Sequence, residues 1–217
     1  GLRLMIILGL TGSIGMGKTA AAAEFRRLGV PVFDSDATVH ALLAEGGDGV
    51  VPVSKQFTGV LKDGAIDRSA LGDKVFGDPE ALQDLEGILH PLVREAQARF
   101  LRDRALQQAS LVVYDIPLLY ETGAEARCDA VAIVSAPKFI QTQRVLARPG
   151  MDRDKLNAIL ARQTPDEEKR RRADFIIMTG LGRAYALHQI KEIVKVLEHF
   201  KGQIWPPGSP GGGQIYA

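Results

Sequence analysis

The sequence predicts an α/β fold built around a five-stranded parallel sheet, and three observations support this. Five short apolar runs, Leu4–Leu10, Val30–Phe33, Leu111–Tyr114, Ala130–Val134 and Phe175–Met178, lack the apolar/polar alternation of a half-exposed strand. Longer helical stretches separate them, as β–α–β crossovers require. A glycine-rich stretch ending in a lysine and a hydroxyl follows the first run and precedes the first helix.

Taken in order, the first helix begins inside that glycine-rich stretch and runs through Ala20–Leu28, where alanines favour helix. Gly29 suits the residue just past its end, with Pro31 beyond. Nearly eighty residues then separate the second and third strands, far more than a crossover needs. This insert opens polar and glycine-rich at Gly46, Gly47 and Gly49, then turns helical. Asp78 is a good N-cap and Pro79 a good first residue for a helix through about Leu89. His90-Pro91 is expected to interrupt it, with a second helix following to about Gln108. A second insert, Lys138–Arg172, separates the last two strands and holds ten basic and five acidic residues. Its net +5 concentrates positive charge in a chain whose total is +1.

The expected organisation is therefore an α/β core over residues 1–36, 110–137 and 173–203, a helical insert over 37–109 and a basic insert over 138–172. A disordered tail, rich in proline and glycine from Pro206 onward, is expected over 204–217. The 217 residues are enough for one sizeable core. With 27 basic and 26 acidic side chains, the near-neutral balance argues against a nucleic-acid binder using its whole surface. A single cysteine excludes an internal disulfide. The run Leu4–Leu10 is far shorter than the ~20 residues that span a bilayer, and no signal-cleavage pattern follows it. The expectation is a soluble cytoplasmic protein without a membrane partner.

Gly12-Ser13-Ile14-Gly15-Met16-Gly17-Lys18-Thr19 satisfies G-x-x-x-x-G-K-[ST]. Glycines let backbone N–H groups converge on phosphate oxygens, and the helix N-terminus adds partial positive charge. Lys18 is placed to neutralise β/γ-phosphate charge, and Thr19 to ligate Mg²⁺. Asp34 and Asp36 close the second strand, at the sheet edge where α/β ligands bind. Two readings stand side by side there: carboxylates facing the γ-phosphate, or an N-cap for the next segment. Asp115 follows the third apolar run and fits a second acidic residue near Mg²⁺.

Arg144 and Arg148 lie four apart, on one face of an expected helix, and Arg162 lies farther along the basic insert. Arginines on a mobile lid suit stabilisation of a transferring phosphoryl group. The run Lys169–Arg172 reads as a solvated charged face, His90 as a helix-junction residue, and Cys128 as a small packing residue.

These segments together resemble the dephospho-coenzyme A kinase family over nearly the whole chain. The matching stretches are Gly9–Thr19, Val32–Asp36, His90-Pro91, Asp115–Glu121, Gln143–Arg148, Ala161–Gln163 and Ala173–Ile177. The resemblance implies a three-layer P-loop NTPase core, a helical coenzyme-binding insert and a small helical lid. It implies Mg²⁺- and ATP-dependent phosphorylation of the ribose 3′-hydroxyl of dephospho-CoA, the last step of coenzyme A synthesis. It implies catalytic roles for Asp36, Lys18, Arg144 and Arg148, with Asp36 as base. ATP would be held by Gly12–Thr19 and Arg162, and the acceptor by Asp36, His90, Leu118 and Glu121. Thr19 and Asp115 would serve the metal, and a monomer or small homo-oligomer is expected. Ser13, Met16 and Ser35 depart from common family residues.

Another small-molecule kinase is the nearest competing reading. A GTP-dependent switch lacks its guanine-reading N/T-K-x-D motif, and the D-x-x-G at Asp84–Gly87 falls inside a helical stretch. A nucleic-acid module would need stacking aromatics in the basic insert, which offers only Phe139.

Overall fold

The computed structural model describes residues 4–207, and the chain divides into two compact units, one running to Phe33 and resuming at Arg104, the other Asp34–Asp103. Among the described residues there are seven strands: β1 (Ile6–Thr11), β2 (Val32–Asp34), β3 (Leu61–Lys62), β4 (Ala65–Ile66), β5 (Leu111–Asp115), β6 (Ala130–Ser135) and β7 (Phe175–Met178). Five of them form the expected sheet, ordered β2-β5-β1-β6-β7. The pairs β1–β5, β1–β6 and β6–β7 are parallel, with Leu10 opposite Asp115, Thr11 opposite Ile133 and Ser135 opposite Met178. This register brings the carboxyl ends of the central strands to one edge. Helix α1 (Lys18–Arg27) leaves β1 there and ends at Leu28, with Gly29 at φ 81° where a left-handed residue is needed.

Both faces of the sheet are covered, which explains the missing alternation. Ile6, Leu8, Leu10, Val113, Val134 and Ile177 share one core cluster with Ala21, Ala22 and Phe25 of α1. The intervening Ile7, Val112, Ile133 and Tyr114 are buried as well. Phe25 is fully buried, and such a side chain contributes about 1.5–3 kcal/mol by leaving water.

The unit Asp34–Asp103 begins with α2 (Ser35–Leu43), continues through α3 (Val50–Gln56), the β3–β4 hairpin and α4 (Arg68–Val75), and ends within α5 (Pro79–Leu106). Leu43, Val53, Phe57, Val60, Ile66, Leu71 and Leu89 form its own core. The hairpin was not among the expected strands. Its turn is Asp63-Gly64, both at positive φ, and Asp-Gly is the short-range signal for this turn. The Asp78 cap is as expected, its Oδ1 accepting from Glu80 and Ala81 N–H at 3.1 and 3.0 Å.

One expectation for this region fails. His90-Pro91 does not divide the helix, which runs 28 residues with Pro91 inside. Proline removes the one N–H that would donate to Gly87 O, and the turns on either side carry the long helix past it.

The expected lid comprises α6 (Lys138–Leu146), α7 (Arg153–Ala161) and α8 (Asp166–Arg172), all in the same unit as the sheet. Helix α9 (Arg183–Glu198) then packs Ile190, Ile193 and Leu197 into the sheet core. Beyond it the chain turns back across the amino edge of the sheet. A Cβ on Gly202 would sit 2.0 Å from Met5 O, Trp205 is buried, and Asp129 Oδ1 accepts from Gln203 and Ile204 N–H. The expected tail therefore does not begin at 204; residues 208–217 lie outside the described residues. No helix among the described residues is long and apolar enough to cross a membrane.

Candidate active site

The glycine-rich loop Gly12–Gly17 joins β1 to α1 at the carboxyl edge of the sheet. Close packing explains its glycines. A Cβ on Gly12 would lie 2.3 Å from Val134 Cγ2. Gly15 has φ 76°, and a Cβ there would lie 2.6 Å from Val145 Cγ2 and 3.1 Å from Gln141 O. Gly17, at φ 93°, precedes a helix whose first amides receive no side-chain cap. Those N–H groups and the helix dipole make an anion site.

Lys18 and Asp115 meet at this edge. The Lys18 ammonium is ion-paired with Asp115 Oδ1, and Asp115 is only 4% exposed at the end of β5. The register that sets Leu10 beside Asp115 places this carboxylate next to the loop. Thr19 is exposed in the first turn of α1.

The expected lid residues brace the loop from its other side. Arg144 donates from Nη1 to Thr179 Oγ1 at 3.0 Å and to Gly15 O at 3.4 Å, and from Nη2 to Thr179 O at 2.8 Å. Thr179 Oγ1 donates to Met16 O at 2.5 Å. Gln141 Nε2 donates to Ile14 O at 2.8 Å, and Ile14 N–H donates to Gln163 Oε1 at 3.2 Å. Buried Met16 accepts from Ala136 N–H through Sδ at 3.1 Å, which gives this departure from the family pattern a packing role. The loop is held at Ile14, Gly15 and Met16 by side chains from three separate elements.

Several site residues are placed differently from the sequence expectation. Arg148 does not share a helix face with Arg144. Helix α6 ends at Leu146, because Pro149-Gly150 follows and the residue before a proline disfavours helix. Arg148 is exposed and makes no side-chain hydrogen bond or ion pair among the described residues; Arg162, exposed at the end of α7, is likewise unpartnered there. Asp34 alone ends β2, and its Oδ1 caps α2 by accepting from Ala37 N–H at 2.9 Å. Asp36 therefore sits in the first turn of a helix, exposed, and not at a strand end. His90 is exposed on α5, within the Asp34–Asp103 unit. Leu118 is 41% exposed beyond β5.

The run Lys169–Arg172 is not uniformly solvated. Lys169 is fully buried, its Nζ 2.7 Å from Glu121 Oε1. Glu121 Oε1 also accepts from Thr164 N–H at 3.0 Å. Burial pushes the Glu121 carboxyl upward, but the Lys169 ammonium and backbone N–H groups outweigh it and hold the group below its ordinary range. Arg172 covers the Tyr120 ring at 4.2 Å and pairs with Glu125. Burial raises the Tyr120 hydroxyl to about 12. Cys128 packs beneath Gly9, and burial raises its thiol to about 12, consistent with a packing residue. Gln141, Gln163, Lys169 and Thr179 were not singled out as site residues from sequence. Gln163 lies inside the Ala161–Gln163 stretch; nothing local marks Thr179.

A family model described as dephospho-CoA kinase matches residues 6–181. A dephospho-CoA kinase of Paramagnetospirillum magneticum is 58% identical over 209 residues, 96% of each chain. One of Rhodospirillum rubrum is 55% identical over 188 residues, covering 86% of this chain and 89% of its own. A Thermus thermophilus crystal structure is 36% identical with a TM-score of 0.78, covering 91% of this chain and all of its own. The dephospho-CoA kinase of Campylobacter jejuni, at 23% identity and a TM-score of 0.62, covers 90% of this chain and 98% of its own and shares the fold.

Proposed function

The chain belongs to the dephospho-CoA kinase family, and on that premise we propose how its residues divide the transfer of a phosphoryl group from ATP to dephospho-CoA. The acceptor is the ribose 3′-hydroxyl and the product coenzyme A, which closes the biosynthetic route. The reading as another small-molecule kinase is not favoured, because the named relatives match along nearly the entire chain.

The observation that carries the reading is the braced loop with Lys18 and Asp115 at its mouth. Phosphoryl transfer proceeds through a loose transition state, so catalysis is positioning plus electrostatic stabilisation. With Ile14 N–H given to Gln163 and Met16 N–H to Ser13 O, the remaining N–H groups of Gly12–Thr19 hold the phosphate chain. Lys18, kept at the site by Asp115, turns its ammonium to the β/γ-oxygens. Arg144 is fixed against the loop, whereas Arg148 and Arg162 are unpartnered among the described residues and are assigned to the transferred and adjacent phosphates.

Thr19 Oγ and the Asp115 carboxylate are hard oxygen donors of the type Mg²⁺ accepts. Among the described residues no cluster of three or more acidic, histidine or cysteine side chains forms a closed cage. One hydroxyl and one carboxylate suit an ion that keeps waters and phosphate oxygens as its other ligands. Thr19 and Asp115 would hold Mg²⁺, which when bound neutralises charge developing on the phosphates.

Asp36 is assigned as the base that orients the 3′-hydroxyl. Full deprotonation before attack is disfavoured, because an alcohol's pKa lies far above neutral. A carboxylate instead takes the proton late, when the nucleophile has gained bonding. His90 and Leu118 are assigned to the acceptor side, whereas Glu121, engaged by Lys169 and Thr164 N–H, is assigned to the nucleotide side through the contacts developed below. A monomer or small homo-oligomer in a cytoplasmic setting suits these substrates.

Asp36→Asn keeps size and hydrogen bonding while removing the basic charge. It should lower kcat by roughly 10²–10⁴-fold with ATP affinity unchanged. Wild-type turnover would exclude the role, and an activity loss rescued by raised Mg²⁺ would assign Asp36 to the metal instead.

A further inference from the structure

We infer that Gln163 positions the ATP-phosphate loop, and that the buried Lys169–Glu121 ion pair holds Gln163 where it does so. The inference rests on the reading of Gly12–Thr19 as that loop.

Lys169 lies in α8, a seven-residue helix of sequence Asp-Glu-Glu-Lys-Arg-Arg-Arg. Its neighbours Arg170 and Arg171 are exposed, yet Lys169 itself is 0% exposed. Taking an ammonium out of water costs several kcal/mol even after relaxation, and an apolar side chain of similar size generally serves stability as well. A buried charge pair is thus weak grounds for stability, and its useful product here is geometry.

The geometry runs through three links. Lys169 Nζ lies 2.7 Å from Glu121 Oε1, and the same oxygen accepts from Thr164 N–H at 3.0 Å. Lys169 N–H itself donates to Pro165 O at 3.0 Å, which closes the turn from its other side. The residue before Thr164 is Gln163, whose Oε1 accepts from Ile14 N–H at 3.2 Å. Ile14 O is held in turn by Gln141 Nε2 at 2.8 Å. The N–H and the carbonyl of Ile14 are thereby both held, the carbonyl by α6 and the N–H by the α7–α8 turn, which sets the two peptide planes flanking this residue.

The fixed orientation matters because a phosphate loop binds through backbone N–H direction. A loop that must reorient before binding loses affinity in proportion to its competent fraction. Gln163 is thus a positioning residue for nucleotide, and Glu121 and Lys169 act through it. None of the three needs to touch ATP.

The test is titration of a fluorescent ATP analogue without acceptor, followed by steady-state kinetics. Gln163→Ala should raise Kd and KM for ATP about 3- to 10-fold, the loss expected for one neutral hydrogen bond. KM for dephospho-CoA should stay unchanged. Lys169→Met should act in the same direction, and adding Gln163→Ala to it should cost little more, since both break one chain of contacts. Glu121→Gln/Lys169→Met retains an acceptor for Thr164 N–H with no buried charge, and should bind ATP within about twofold of wild type, little of one hydrogen bond being lost. Glu121→Leu/Lys169→Met lacks that acceptor and should lose affinity. If Lys169→Met does not fold, these two double variants decide the matter. Equal ATP affinity in the two double variants, or in Gln163→Ala and wild type, would overturn the inference. Failure of the wild type to bind ATP would instead overturn the loop assignment beneath it.

Discussion

Thr179→Val separates bracing of the phosphate loop from direct contact with nucleotide. Valine matches threonine in shape, so the change removes one hydroxyl and little volume. That hydroxyl donates to Met16 O at 2.5 Å and accepts from Arg144 Nη1 at 3.0 Å. Met16 is buried, so its carbonyl loses a partner where water is scarce. Leaving a buried polar group unsatisfied costs about 1–3 kcal/mol. For a chain of this size that lowers Tm by about 2–10 °C. The kinetic loss should be smaller than for Arg144→Ala, because Nη2 keeps its 2.8 Å bond to Thr179 O. One weakened contact of about 1 kcal/mol corresponds to about a fivefold fall in kcat/KM for ATP. Arg144→Ala should cost about 10²-fold, as loss of a preorganised charge does. Thr179→Ser, which restores the hydroxyl, should recover most of both losses. Differential scanning calorimetry and initial rates measure the two effects. If Thr179→Val matched wild type in both, or if Thr179→Ser failed to improve on it, the bracing argument would be refuted.

Three further outcomes follow from the same contacts. Lys18→Ala should fold normally and lose about 10²-fold or more in turnover; near-normal rates in a folded variant would remove this loop from the reaction. Gly15→Ala should cost about 2–4 kcal/mol, combining a left-handed backbone with overpacking against fully buried Val145, whereas Gly29→Ala, at φ 81° with nothing within 4 Å, should cost only the backbone part, about 1–2 kcal/mol. Equal chemical-denaturation midpoints for the two would contradict the packing. The Glu121 carboxyl lies below its ordinary range in the folded chain, so its stabilisation is full above that range and fades as pH falls through the folded value. Tm measured from about pH 6 down to about pH 3 should therefore fall less steeply for Glu121→Gln than for wild type.

The sheet and its loop were legible because continuous apolar runs, a glycine pattern and caps are local signals. Phe175–Met178 was located to the residue, and the Asp78 cap and the Gly29 stop behave as their chemistry requires. Tertiary choices were not legible. Nothing in a run of four basic residues tells which one turns inward, and the partner that draws Lys169 in, Glu121, lies forty-eight positions earlier. Spacing placed Arg148 on the Arg144 face, and Pro149 ended the helix first. Pro91 argues for a break, and the 28-residue helix continues through it with one N–H donor fewer. Asp36 looks like a strand-end residue in the sequence because a three-residue strand leaves little to mark where the helix cap begins. Thr179 stayed hidden, since only the fold brings a residue after β7 to the carbonyl of Met16.

The most direct measurement is the identity of the product. The protein, incubated with Mg·ATP and dephospho-CoA, should yield a compound heavier by one phosphate group, matching coenzyme A by mass and by chromatography. Phosphorus–proton NMR should place that phosphate on the ribose 3′-oxygen. Nucleoside monophosphates and simple sugar or polyol acceptors should give no comparable product under the same conditions. Absence of coenzyme A with efficient phosphorylation of one of those acceptors would contradict the account.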